Sequence, residues 1–295
     1  DLGRLSVRDG AKPAWSQSVL EAFTPDAGTK VGYTHSGTTF KQTSRNVFGD
    51  TAEYQGVRFA KSGTEKFTIK VHDGAGLILR KRFILDESGE EADVIVNGKP
   101  AGKWNLRRSE AKLASGVREA IFVIPAESLK RNADAAIEIQ YASVGNTLGW
   151  WAFEYREGAF PLSAVGPLHA DQNFGHLHYT RNITGSHLKI GTTEFTNGIG
   201  VFAQSLLEYS INRQFSRFTA KVGVDAVTEG RGSVVFEVYA DGKKVWASGV
   251  MSGLDQPKAI DLNVSGVDRL RLIVTDAGDG NKFDAGDWCD PELHK

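Results

Sequence analysis

Along much of the chain, apolar residues recur at every second position. FTIKV carries Phe67, Ile69 and Val71; GLILR carries Leu77 and Leu79; ADVIVNG carries Val94 and Val96; AIEIQY carries Ile137, Ile139 and Tyr141. A period of two sends alternate side chains to opposite faces of a sheet, so each run predicts a half-buried strand. The downstream half repeats the pattern with Val234, Phe236, Val238 and then Leu270, Leu272, Val274. Between the runs stand Asn97-Gly98 and Asp241-Gly242, dipeptides whose tolerance of positive φ suits two-residue hairpins. Amphipathic helical stretches are scarce, and the predicted class is all-β.

A degenerate repeat organises these strands. DVIVNGKPAGKW, from Asp93 to Trp104, parallels FEVYADGKKVWAS, from Phe236 to Ser248, and in each half two further alternating runs follow. The two turn glycines, Gly98 and Gly242, stand about half a chain length apart. The pattern predicts two β-sandwich domains in tandem, 1–160 and 168–295. It is either a duplication or the common habit of antiparallel sandwiches. Glu157 to Gln172, with Pro161, Gly166 and Pro167 and no sustained alternation, is the predicted linker.

Composition removes several function classes. With 35 Lys+Arg against 36 Asp+Glu the net charge is −1, so no global field draws the protein to nucleic acid or anionic lipid. One cysteine, Cys289, cannot close a disulfide within the chain. No apolar run reaches the roughly 18 residues of a membrane helix, so no membrane insertion is expected. The first residue, Asp1, fits an exported and processed protein, secreted or periplasmic, and equally fits a chain boundary.

From His187 onward the motifs become specific in their order. They are Gly198-Ile199-Gly200, then Ala203 and Ser205, Glu208-Tyr209, Val222-Gly223-Val224-Asp225, Gly232-Ser233-Val234 and Asp241-Gly242-Lys243. The series closes with Asp276-Ala277-Gly278-Asp279-Gly280 and Asp287-Trp288. This series, from about Leu168 to Pro291, resembles the NPCBM family, also called carbohydrate-binding module family 51. The resemblance implies a jelly-roll, galactose-binding-like sandwich that binds galactose-type glycans and accompanies extracellular glycoside hydrolases. Two family histidines are replaced here: Val201 and Phe202 follow the Gly-Ile-Gly turn, and Ala285 and Gly286 separate Asp284 from Asp287. The expected sugar contacts are Phe202, Gln204, Asp284, Asp287 and Trp288, with Trp288 equally placed to be a core plug. The first half, through GLILRKRFI, ADVIVNGKPAGKW and GWWAFEYR, more loosely resembles the jelly-roll domain of a bacterial glycoside hydrolase family.

Sugar recognition needs flat apolar surface together with polar groups for the hydroxyls. Trp150 and Trp151 point to opposite faces of an extended segment. One belongs to the core, and the other is either a sugar platform or covered. The acidic run Asp276, Asp279, Asp284, Asp287, Asp290 reads either as a structural calcium site, led by Asp276 and Asp279, or as a solvated loop whose carboxylates bond local amides. Beyond that calcium no cofactor is expected. A glycosidase would need two carboxyl groups about 5–10 Å apart; Glu154 and Glu208 are candidate members, and no local motif marks a pair. His176 and His178 share a strand face and suit a metal less well than an ordinary strand contact. Arg80 and Arg82 share a face and are expected to pair with acids such as Asp86 or Glu91. The leading expectation is non-catalytic binding of a carbohydrate, with a glycoside hydrolase or a second copy as partner. The alternative is a hydrolase built on the first sandwich or at a subunit interface.

Overall fold

The structure is a computed structural model. It describes residues 19–45, 51–72, 74–85, 90–107, 116–130, 133–155, 159–164, 167–175 and 177–295. The chain divides into two compact units, one running through residue 157 and the other from residue 158 onward.

The first unit contains β1 (Val19–Phe23), β2 (Thr34–His35), β3 (Thr38–Arg45), β4 (Thr51–Phe59), β5 (Thr64–Val71) and β6 (Gly76–Leu85). After these come β7 (Glu91–Val96), β8 (Lys99–Asn105), β9 (Gly116–Ile124), β10 (Ala133–Tyr141), β11 (Gly145–Thr147) and β12 (Gly149–Tyr155). The second contains β13 (Phe160–Pro161), β14 (His169–Gln172), β15 (His178–Tyr179), β16 (Leu188–Ile190), β17 (Thr193–Phe195), β18 (Gly198–Phe202) and β19 (Ser205–Ser210). The remaining strands are β20 (Arg217–Val224), β21 (Ser233–Ala240), β22 (Lys243–Ser252), β23 (Lys258–Asn263), β24 (Arg269–Thr275) and β25 (Ala285–His294). Among the described residues the only helical segments are short 3-10 turns. The chain is all-β, as the alternation predicts.

The two units share a strand plan. One sheet of the first runs β2-β5-β10-β7-β8 and its counterpart in the second runs β14-β19-β24-β21-β22. In the opposing sheets β12-β6-β9 corresponds to β25-β20-β23. The likeness extends to single residues in the predicted hairpins. Asn97 and Gly98 have φ of 51° and 77°, Asp241 and Gly242 have 47° and 82°, the doubly left-handed geometry of a type I′ turn. Each leading turn residue also docks on the third strand. Asn97 N donates to Ala136 O at 2.8 Å while its Oδ1 accepts from Ala136 N at 3.0 Å. Asp241 N donates to Arg269 O at 2.9 Å while its Oδ1 accepts from Arg269 N at 2.8 Å.

The stretch predicted as a linker is largely built into the second unit. Phe160 pairs with Leu293 across β13 and β25, its ring meets Phe215 edge-on at 5.2 Å, and β14 pairs with β19 over His169–Gln172. Strands of two to four residues are too short to show an alternating pattern, which is why composition there read as a connection.

Charges are sorted by the same alternation. On β6, Lys81 faces the interior of the first sandwich while Arg80 and Arg82 face away with Trp151, which both guanidiniums cover at 4.7 and 4.5 Å. Their partner is Glu119, on the neighbouring β9: Arg82 donates to it at 3.0 and 2.7 Å and Arg80 lies 3.7 Å away. This corrects the expected pairing, since Glu91 instead meets Arg107 at 2.8 Å and Asp86 lies outside the described residues. Trp150 and Trp151 are both buried, so neither offers a platform.

Inside this sandwich lies a buried polar network. Glu65, fully buried, accepts from Tyr33, Tyr141, Thr147 Oγ1 at 2.8 Å and Trp150 Nε1 at 3.0 Å. Lys81 Nζ bonds Glu90 and donates to Tyr141 at 2.7 Å. Burial pushes the Glu90 carboxyl up to about 7 even though Lys81 pulls it down. Removing one member of a buried pair strands the other charge, at a cost of about 3–5 kcal/mol. Lys81→Met is therefore expected to speed amide exchange through β5, β6 and β10 in the full chain, with partial recovery on adding Glu90→Gln. Unchanged protection in the single variant would contradict the assignment.

Candidate functional site

Pairing registers gather the loops of the second unit at one end. Phe202 pairs with Ala285 and Val224 with Gly286. Gln172 and Val274 both pair with Ser205, and Ser233 pairs with Ser252. The segments 173–175, 203–204, 225–232, 253–257 and 276–284 therefore emerge together. β25 starts at this end and runs away from it to His294.

Asp284 stitches three of these loops from beneath. Its carbonyl accepts from Ala203 N at 3.0 Å and its Oδ1 accepts from Ser233 N at 3.0 Å. It has no solvent exposure, and burial raises its carboxyl, with the Ser233 amide opposing. The close packing requires glycine at 232: φ there is +79°, and a Cβ would stand 2.2 Å from the Phe283 carbonyl oxygen.

A pair of buried carboxyl groups, Asp225 and Asp287, lies nearby. Asp225 accepts from Val227 N at 2.7 Å, Asn182 Nδ2 at 3.0 Å and Lys189 N at 3.1 Å. It thus ties the 180s segment and the loop after β20 to one side chain. Asp287 faces it, nearly without exposure. Burial, then the neighbouring Asp225, holds the Asp287 carboxyl far above the usual carboxylate range. Trp288, on the opposite face of β25, is fully buried and meets Phe236 edge-on at 5.2 Å. Of the five expected sugar contacts, then, Asp284, Asp287 and Trp288 form the interior support of the loop end.

Phe202 and Gln204 reach the surface, half-buried and exposed respectively. Beside Phe202 stands Phe174, 66% exposed, its ring meeting Phe202 edge-on at 5.4 Å. Gln172 Nε2 holds the Phe174 carbonyl at 2.7 Å, and Asn173 N donates to Gln204 O at 3.0 Å. Sequence reasoning missed Phe174, because one aromatic in a turn carries no periodic signal; its position between Asn173 and Gly175 is the only local hint.

The acidic residues of the last loop bond a local amide and a neighbouring strand. Asp276 Oδ1 accepts from Gly278 N at 3.2 Å and Asp279 Oδ2 from Ser233 Oγ at 2.6 Å. Among the described residues no group of three His, Cys, Asp or Glu side chains is arranged to hold a metal. His178 pairs with Gly200 on β18, and His176 lies outside the described residues. Glu208 is fully buried against Arg271 Nε at 2.6 Å. Glu154, in the first unit, bonds His72 Nδ1 at 2.9 Å. Cys289 is buried beside Leu188, Ile190 and Phe195.

This loop end lies within a stretch that matches a known domain family. Residues 158–294 match the NPCBM/NEW2 domain. Within the curated proteins, a candidate endo-alpha-N-acetylgalactosaminidase of Renibacterium salmoninarum is 31% identical over 133 residues, covering 45% of this chain and 9% of that protein. Alpha-1,3-galactosidase B of Akkermansia muciniphila is 31% identical over 136 residues, covering 45% and 17%. The chain thus spans a small part of the length of either relative. Two solved structures are similar. A CBM51 module of a Clostridium perfringens GH95, in complex with methyl-galactose, is 28% identical, covers 46% of this chain and 99% of its own, and has a TM-score of 0.45. The tandem CBM51 modules of a Streptococcus pneumoniae family 98 glycoside hydrolase are 13% identical, cover 94% and 97%, and have a TM-score of 0.42.

In this matched region the raised Asp287 carboxyl has a measurable consequence. A carboxyl whose folded value is raised favours the protonated folded state, so its stabilisation is complete below the ordinary carboxylate range and is lost as pH rises toward the raised value. Asp287→Asn, which keeps a neutral donor opposite Asp225, is expected to be tolerated and to flatten the fall in urea stability from pH 5 to 9. A slope equal to that of the wild type would contradict a protonated Asp287.

Proposed function

We propose that this chain binds carbohydrate, without catalysis, at the loop end of its second unit, as one part of a larger glycan-processing protein. The observation that carries this reading is the Phe174–Phe202 pair. An aromatic side chain 66% exposed contributes little to the core, yet it is braced by a second ring and by Gln172 on a floor fixed by Asp284. Exposed, ordered apolar surface beside an amide is the chemistry that a pyranose meets on a protein. The domain match supports it, and the galactose-directed names of the relatives favour galactose-type glycans as ligands.

In this reading Phe174 and Phe202 stack on the apolar face of a terminal sugar and Gln204 bonds its hydroxyls. Asp284, Asp287 and Trp288 act from inside by holding the loops. Asp276 and Asp279 remain the candidates for a structural calcium. A secreted or periplasmic setting, with a glycoside hydrolase or a second copy as neighbour, fits such a module, and neutral sugars need no electrostatic steering toward a chain of net charge −1.

Titration calorimetry with methyl-galactoside tests the assignment. Phe174→Ala is expected to weaken binding about tenfold, the effect of truncating an anchoring aromatic, with thermal stability unchanged. Trp288→Ala is expected to destabilise the unit by about 3–5 kcal/mol. Silence of the wild type toward methyl-galactoside and galactose-ended glycans would overturn the reading.

A further inference from the structure

We propose that the loop end holds a second sugar subsite, formed by Arg231, Phe283 and Leu254, so that the module reads an oligosaccharide of at least two units. This rests on the carbohydrate-binding reading and extends it along the same surface.

Leu254 is 79% exposed, the most exposed large apolar side chain among the described residues. It is not on a loose tip. Asp255 Oδ2 accepts from Ser252 N at 2.6 Å and Ser252 Oγ at 3.1 Å, and Asp255 N closes the turn on Ser252 O at 3.1 Å. Leu254 lies over Gly230, where a Cβ would stand 2.8 Å from its Cδ2. The turn presents this side chain to solvent while the fold gains almost nothing from it.

Arg231 supplies the polar half. Its guanidinium lies 3.9 Å from the centre of the Phe283 ring, its Nε donates to Thr228 O at 3.0 Å and its Nη2 to Glu229 at 2.9 Å. The side chain is nevertheless half exposed. A free surface arginine gives up rotamer entropy when a ligand orders it. Three contacts have already fixed this one, so its exposed edge is offered at reduced cost. A planar donor fork beside an exposed aliphatic side chain matches a sugar ring, which has hydroxyls at its rim and C–H bonds on its face.

Continuity joins the two subsites. Phe283 precedes Asp284, whose carbonyl accepts from Ala203 N, and Ala203 follows Phe202. Phe174–Phe202 and Arg231–Phe283 therefore sit on loops tied to each other at the same end of the sandwich, with Leu254 against Gly230 beside the second pair.

The test compares methyl-galactoside with a panel of galactose-ended di- and trisaccharides by titration calorimetry on the full chain. At least one oligosaccharide is expected to bind about tenfold more tightly than the monosaccharide. Arg231→Ala and, as a variant that leaves the loop's own bonds intact, Leu254→Ser are each expected to remove that gain while methyl-galactoside affinity stays the same. Equal affinity for every sugar in the panel, or an equal loss for both sizes in Leu254→Ser, would overturn the second subsite and leave the first standing. Binding of no sugar at all would overturn both.

Discussion

A carboxyl group taken out of water costs several kcal/mol unless its oxygens are answered or its proton is retained. Both sandwiches are arranged around meeting that demand. In the first, Glu65 sits between the sheets and is satisfied by four side-chain donors, drawing Tyr33, Tyr141, Thr147 and Trp150 to fixed positions. In the second, Asp225 and Asp284 do the corresponding work at the loop end, where each bond they accept immobilises another piece of irregular backbone, and burial raises the Asp287 carboxyl beside Asp225. Hydrophobic alternation decides which face of a strand is inside; the buried carboxyl groups decide how the segments between strands are held. An ordered recognition surface on loops depends on the second arrangement more than on the first.

The strands were legible because half-burial writes itself as a period of two, and Phe67, Ile69, Val94 and Val96 are all buried as that period requires. The hairpins were legible because positive φ at two successive positions narrows the choice to residues such as Asn, Asp and Gly. The chemistry of the site was less so. Trp288 and Asp287 stand in an ordered motif, and a motif does not say whether its residues face sugar or support those that do. Phe174 and Leu254 are isolated apolar residues in turns, and only the packing around them shows that they are both exposed and held. The partner of Arg80 and Arg82 came from a strand nearly forty residues downstream, Glu119, because register between β6 and β9 is a property of the sheet.

The matching strand plans of the two units give the repeat seen in the sequence a physical basis. Asn97 and Asp241 perform the same operation: each turns a hairpin and clips it to the third strand through both backbone and side chain. This clip is local and needs little from the rest of the sandwich. The rest of the two sandwiches differs, one enclosing a lysine–glutamate network and the other the paired aspartates Asp225 and Asp287. In the second unit it also lies at the end opposite the loops, so the device that fixes strand register is separated from the surface that is proposed to select ligand.

The course of β25 has an implication for assembly. It enters at Ala285 among the loops of one end and leaves at His294 on the far side, paired there with Arg217. A tether or label joined after the last residue therefore departs from the end of the sandwich opposite those loops.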